Sequence, residues 1–180
     1  MLVVGDSHIR ERADEIPREF YEYFSSNSYD IVIHTGDLVD PDVIDLFKNF
    51  GKEFYVVEGN MDYLNLPDHH ILGIYGIRIG IVHGHQVRPR GDLNKLTKLG
   101  RELGVIILIS GHTHSPFIEF SGDILHVNPG SVTGVWGGGG GSMIPSFAEL
   151  EIFEDSRLIA TLYELRRGEV MKLKRIEHRF

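Results

Sequence analysis

Cysteine is absent from the 180 residues, which excludes disulfide bridges and thiolate metal sites together. Any metal bound here must sit on imidazole, carboxylate or amide oxygen. Positive charge is scarce as well: 18 Lys and Arg stand against 26 Asp and Glu, a net charge of −8. That balance argues against general binding to nucleic acid or to anionic membranes. It does not exclude a local positive site made by metal ions, whose charge the sequence does not carry. No stretch approaches the roughly 18 uninterrupted apolar residues of a membrane span. The chain opens straight into an apolar strand with no signal-type leader, so a cytoplasmic protein with no membrane association is expected.

What is present is ordinary for a globular protein, 42% hydrophobic and 24% charged, and a single domain over residues 1–180 is expected. Leu2-Val3-Val4, Ile31-Val32-Ile33 and Phe54-Tyr55-Val56-Val57 read as strands. Between them, Pro17 opens a helix with Phe20, Tyr21 and Phe24 on its apolar stripe. Asp40-Pro41 starts a second helix that carries Val43, Ile44 and Phe47 inward and closes at Gly51. This β-α-β-α-β order implies parallel strands with helices on a face. Ile71–Tyr75 and Ile77–Val82 flank Gly76 as an antiparallel hairpin. Asp92 caps a helix bearing Leu93, Leu96 and Leu99 that ends at Gly104, and Val105–Ile109 follows as a fully apolar strand. From Pro116 onward the pattern is β and mostly antiparallel. The architecture expected is α/β, a four-layer αββα sandwich of two mixed sheets flanked by helices. Gly137 to Gly141 is the one low-complexity segment and reads as a mobile loop inside that domain.

The informative feature is a set of short phrases placed where apolar runs end: Gly5-Asp6-Ser7-His8, Gly36-Asp37-Leu38-Val39-Asp40, Gly59-Asn60-Met61-Asp62, His83-Gly84-His85 and Gly111-His112-Thr113-His114. Their first metal-competent residues, at 6, 37, 60, 83 and 112, are separated by 31, 23, 23 and 29 positions. That is about one strand plus its connection. In an extended segment residues two apart share a side, so Asp6 with His8, and His112 with His114, should each approach one ion. A single Asp-x-His is ordinarily a cap or a surface pair. Five such phrases after five strands, each beside a glycine, point to ligands gathered at the carboxyl ends of an α/β sheet.

These phrases resemble the signature of the calcineurin-like metallophosphoesterases, in particular the small YfcE-type phosphodiesterases and the phosphoesterase-fold subunit of eukaryotic retromer. The likeness extends through His83-Gly84-His85-Gln86-Val87, Ile109-Ser110-Gly111-His112-Thr113-His114, Asn128-Pro129-Gly130-Ser131 and Pro145-Ser146-Phe147. It implies two divalent ions: Asp6, His8 and His114 on the first, Asn60, His83 and His112 on the second, and Asp37 bridging. The donors suit Mn²⁺, Ni²⁺, Zn²⁺ or Fe and do not choose among them, with Mn²⁺ the first expectation. Two divalent ions against two aspartates and one hydroxide leave the site positive by about one unit, which attracts a phosphate ester. The implied reaction is hydrolysis of a small-molecule or nucleotide-type phosphodiester by metal-hydroxide attack, with Asp37, Asn60 and His83 acting through the ions.

Two departures from the family pattern bear on activity. The third phrase usually carries a histidine that assists the leaving group, where this chain has Met61. Loss of such a general acid costs about 10²–10⁴ in rate, so slow turnover is expected, best with aryl leaving groups. His85 is the candidate replacement acid, with an orienting role beside the ligands as the alternative. Asp62 keeps its place, with a local hydrogen bond as its expected role. The retromer subunit, by contrast, carries altered residues where Asp37 and Asn60 stand. Both are intact here, which favours an enzyme over the competing reading of a metal-bound scaffold with a protein partner. Oligomeric state is left open. His34, His126 and Asn128 read as packed or turn-forming residues, Arg88 and Arg90 as solvated unless they meet a second phosphate-ester group, and Tyr21, Phe24 and Phe47 as core.

Overall fold

Leu2, Val3 and Val4 are fully buried, and their alternation explains why the molecule has layers on both sides of this strand. Leu2 and Val4 point to one face and Val3 to the other, and the two faces enter different cores. The computed structural model describes residues 1–180 and contains eleven strands and three helices. Strands β1 (Leu2–Val4), β2 (Tyr29–His34) and β3 (Gly51–Val56) are parallel neighbours. Their ends are level, since Val4 lies opposite His34 and His34 opposite Val56. The loops that begin at Gly5, Thr35 and Val57 therefore open at one edge.

The second sheet is built from β4 (His69–Ile74), β5 (Ile77–Val82), β6 (Ile107–Ile109), β7 (Phe117–Ser121) and β8 (Ile124–Asn128), in the order β4-β5-β6-β8-β7. Its centre is parallel, β5 with β6 and β6 with β8. The last three strands, β9 (Ser146–Ile152), β10 (Arg157–Arg166) and β11 (Glu169–Arg179), return to the first sheet, giving β11-β10-β9-β1-β2-β3. The expected change from a parallel half to an antiparallel half thus does not divide the chain between the sheets. The six-stranded sheet is parallel at its β1-β2-β3 end and antiparallel from β1 to β11, whereas the five-stranded sheet has a parallel centre with an antiparallel strand at each edge.

Three cores correspond to four layers. The largest lies between the sheets and contains Val3, Ile33, Ile79, Ile107, Leu125 and Ala148. A second, including Phe20, Phe24, Val43, Phe47 and Phe147, packs α1 (Arg18–Ser26) and α2 (Asp42–Lys48) on the six-stranded sheet. A third, including Leu96, Val105, Leu108 and Ile124, packs α3 (Leu93–Glu102) on the other. The αββα expectation is met.

Some local expectations need correction. Tyr21 is half exposed, because it lies at the rim of the α1 stripe and meets only the edge of Phe50. Gly51 does not close α2, which ends at an Asn49 cap. It starts β3, where a side chain at 51 would press on Val32 Cγ2 at 2.6 Å. Asp40 is displaced by one residue from the expected cap position, but its Oδ1 still accepts from Asp42 N at 2.9 Å. At α3 the Asp92 side chain accepts from Lys95 N as read from the sequence.

Candidate metal centre

All five phrases meet at the level edge. Asp6, His8, Asp37, His83 and His114 are buried, with relative exposures of 0 to 3%. His112 is half-buried and Asn60 exposed, which sets the open side. Two groups form. Asp6, His8, Asp37 and His114 place one ligand atom each within 4.8 Å of one another, and Asp37, His83 and His112 do the same. Asp37 belongs to both. His8 Nε2 and His83 Nε2 lie 3.4 and 3.5 Å from Asp37 Oδ2, and His114 Nε2 is 3.5 Å from Asp6 Oδ1. Asn60 Oδ1 is 3.2 Å from His83 Nε2 and joins the second group.

The backbone that achieves this is not extended. Asp6, His8, Asp37, His112 and His114 have φ of +48°, +44°, +57°, +67° and +55°. Non-glycine residues rarely adopt this left-handed region, at about 1–3 kcal/mol each. The extended-segment argument was therefore right for Asp6 and His8 only in outcome. For His112 and His114 it fails: they face different groups.

Ring orientation follows from partners behind the cluster. His83 Nδ1 donates to the Thr35 carbonyl at 2.7 Å, and His114 Nδ1 to that of Val135 at 2.8 Å. A carbonyl only accepts, so both rings carry the proton on Nδ1 and turn Nε2 inward. His8 Nδ1 lies 3.3 Å from Glu11 Oε2. Burial, with the charges of His83 and Arg90, lowers His112 to about 3. Burial likewise lowers His114 to about 4, against its carbonyl bond. Neutral imidazole is the ligating form. Burial raises Asp6 to about 7, opposed by His83 and reinforced by Asp37. Burial also pushes Asp37 upward, but the neighbouring His8 and His83 rings and the Met61 amide hold it well below the usual carboxylate range. Asp6 Oδ2 and His8 Nε2 are buried without a hydrogen-bond partner. Buried polar atoms of this kind demand a ligand, and with all-N/O donors around them a divalent cation fits.

Asp62 has a larger role than a single local bond. Its carboxylate accepts from the amides of Asp37, Leu38, Val39 and Gly59, each at 2.8 Å. Met61 N in turn donates to Asp37 Oδ1 at 2.8 Å. The second and third phrases are thereby laced together, and Gly36 is needed because a Cβ there would sit 2.7 Å from Gly59 N. The Asn128–Ser131 turn braces the first and last phrases: Ser131 Oγ donates to the Asp6 carbonyl and Asn128 Nδ2 to that of Gly111, both at 2.8 Å. His34 is buried against Ser7, Gly36 and Phe47, and His126 bonds Thr97. His34 is packed as read, whereas His126, read as part of a turn beside the site, lies within β8 and faces α3.

The glycine run, read as a mobile loop, touches the cluster at its two ends, while Gly138 and Gly140 between them meet nothing within 4 Å. A Cβ at Gly137 would lie 2.7 Å from the His114 ring, and one at Gly141 2.9 Å from His114 Cβ. Arg90 holds the run by donating to the carbonyls of Gly137 and His112, so it is not the solvated arginine expected. Glu11, Val135 and the four-amide role of Asp62 escaped sequence reasoning. Only Glu11 left a signal, its i+3 spacing from His8.

A buried two-part Asp/His cluster at the carboxyl ends of strands in an αββα sandwich defines a metallophosphoesterase centre. The chain belongs to the calcineurin-like phosphoesterase superfamily, whose domain profile matches residues 1–152. A protein of Methanocaldococcus jannaschii described as a probable metallophosphoesterase is 50% identical over 131 residues, 73% of this chain and 67% of that one. Among solved structures, Entamoeba histolytica Vps29 complexed with zinc superposes with a TM-score of 0.89 at 34% identity, covering 98% of this chain and 97% of that one. A predicted phosphoesterase of Streptococcus pneumoniae superposes with a TM-score of 0.70 at 26% identity, covering 98% and 95%. No helix is long and apolar enough to cross a membrane.

Proposed function

We propose that this metal-dependent phosphoesterase is a dinuclear phosphodiesterase. The observation that carries the reading is the sharing of Asp37 between two ligand groups. In this reading Asp6, His8 and His114 hold one ion, Asn60, His83 and His112 the other, and Asp37 touches both. Residues 1–180 act as one domain in the cytoplasm. Bound divalent ions would supply Lewis acidity toward the phosphoryl oxygens and a lowered pKa for attacking water. The chain's own part is to aim the imidazoles through Thr35, Val135 and Glu11, to hold His112 and His114 neutral by burial, and to exclude solvent from the Asp6 side.

Met61 offers the leaving group no proton. His85 stands nearby, its ring centroid 5.4 Å from that of His83 and 6.4 Å from that of His112. It is the one candidate acid on the open side. A centre without the usual acid favours esters whose leaving group needs none, hence aryl diesters and slow turnover on alkyl ones. The test is hydrolysis of bis(p-nitrophenyl) phosphate against p-nitrophenyl phosphate by Mn²⁺- or Ni²⁺-loaded protein, with Asp37→Ala as control. Diester activity that disappears in the variant is expected; activity that survives Asp37→Ala contradicts the proposal. Met61 and the likeness to Vps29 favour the second reading, a metal-bound scaffold for a protein partner, and absence of any hydrolysis would leave that one standing.

A further inference from the structure

Beside the cluster, on its open side, lies a cleft of about 400 Å³. Asn60 and His112 form its inner wall, and His85, Arg88 and Arg90 its sides. No carboxylate lines it, although the chain carries 26 acidic residues and a net charge of −8. Two of the residues that line it each carry a buried nitrogen without any hydrogen-bond partner, Nε of Arg90 and Nδ1 of His85. The guanidinium of Arg90 does not wander to find one. Its two terminal nitrogens are engaged by the His112 and Gly137 carbonyls. Arg88 is exposed, and only its carbonyl is engaged, accepting from Lys95 Nζ.

An unpaired buried polar group is destabilising, so two on the walls of one cleft, flanked by a free arginine, call for an acceptor-rich anionic ligand. We infer that the cleft binds a second oxyanion, and that the substrate is a phosphodiester whose non-reacting arm carries a phosphate-type group. The inference rests on the phosphodiesterase reading for the seat of the first phosphate. A diester phosphate carries a single negative charge, and a neutral second arm would leave Arg88 and the Nε of Arg90 without a partner. Arginine forks match phosphate oxygens in geometry as well as charge. Elsewhere the acidic surface repels a doubly charged substrate, so the cleft also selects the direction of approach.

Binding of thymidine 3′,5′-bisphosphate, thymidine 5′-monophosphate and thymidine 3′-monophosphate to the Mn²⁺-loaded protein, measured by calorimetry at fixed ionic strength, tests this. The bisphosphate should bind about tenfold more tightly than either monophosphate, the gain of one charge-assisted hydrogen-bonded pair. In Arg88→Gln and in Arg90→Lys the margin should shrink to threefold or less, with circular dichroism melts verifying that both variants fold. Equal affinity for all three nucleotides in the wild type, or an undiminished margin in both folded variants, overturns the inference. Hydrolysis of bis(p-nitrophenyl) phosphate by the wild type reports separately on the catalytic reading, because that diester carries no second anion. A bisphosphate preference without hydrolysis would sink the reaction and keep the cleft; hydrolysis without preference would do the reverse.

Discussion

At the scale of single residues, the centre depends as much on groups that never face the cluster as on the ligands. Asp62 is 5% exposed and satisfies four amides that otherwise point into a packed loop. Left unpaired, buried amides cost about 1–3 kcal/mol apiece. Asp62→Ala should therefore lower stability by at least about 3 kcal/mol on that scale and reduce bound Mn²⁺ sharply, read by denaturant unfolding and by metal analysis of the purified variant. An unchanged metal content would show that the Asp37 loop holds its shape without this carboxylate. His126 illustrates a different residue effect, away from the cluster. It is buried in β8 against Thr97, and burial lowers its pKa from 6.5 to about 4. The folded form keeps it neutral while the unfolded chain protonates it near 6.5. Its share of stability is therefore complete above pH 6.5 and is lost as pH falls toward 4. His126→Gln should flatten the decline of stability across that window, and a decline as steep as wild type would contradict the assignment.

At the scale of elements, the sequence revealed the pieces better than their arrangement. Apolar runs located every ligand-bearing strand, and Pro17 and Asp92 located two helix starts, because these signals are local. That β9 would pair with β1, far away in the chain, was not legible: alternation tells which face of a strand is buried but not which strand lies beside it. The seven candidate ligands could be singled out because Asp, His and Asn recur at strand ends. Their supports were not, since Thr35 and Val135 act through backbone carbonyls that any residue possesses. The glycine run belongs here too. Its composition suggested freedom, whereas its glycines permit contact with His114. Gly137→Ala should weaken metal affinity by about tenfold while leaving the fold intact, since misplacing one ligand by a few tenths of an ångström erodes coordination. Gly73→Ala, at a strand position with nothing within 4 Å, serves as the comparison and should bind metal normally. Equal affinities in the two variants would show that the run does not touch the centre in solution.

At the scale of the whole molecule, two sheets that each contain three parallel strands bring five loops to one edge, and strained backbone at five ligands is held there by three cores. Metal belongs to the folded state only, so binding must appear as stability. At a free concentration one hundred times the dissociation constant, one site adds about 2.7 kcal/mol. The melting temperature should rise with added Mn²⁺ and fall on chelation, and a melt indifferent to metal would mean that the cluster is satisfied without it. The central claim, that one aspartate joins two ions, is tested most directly by electron paramagnetic resonance of the Mn²⁺-loaded protein. The account predicts the spectrum of a spin-coupled pair, two ions per chain, that Asp37→Ala converts to uncoupled or single ions. A spectrum of isolated Mn²⁺ in the wild type at full occupancy, or a coupled pair that survives Asp37→Ala, would contradict it.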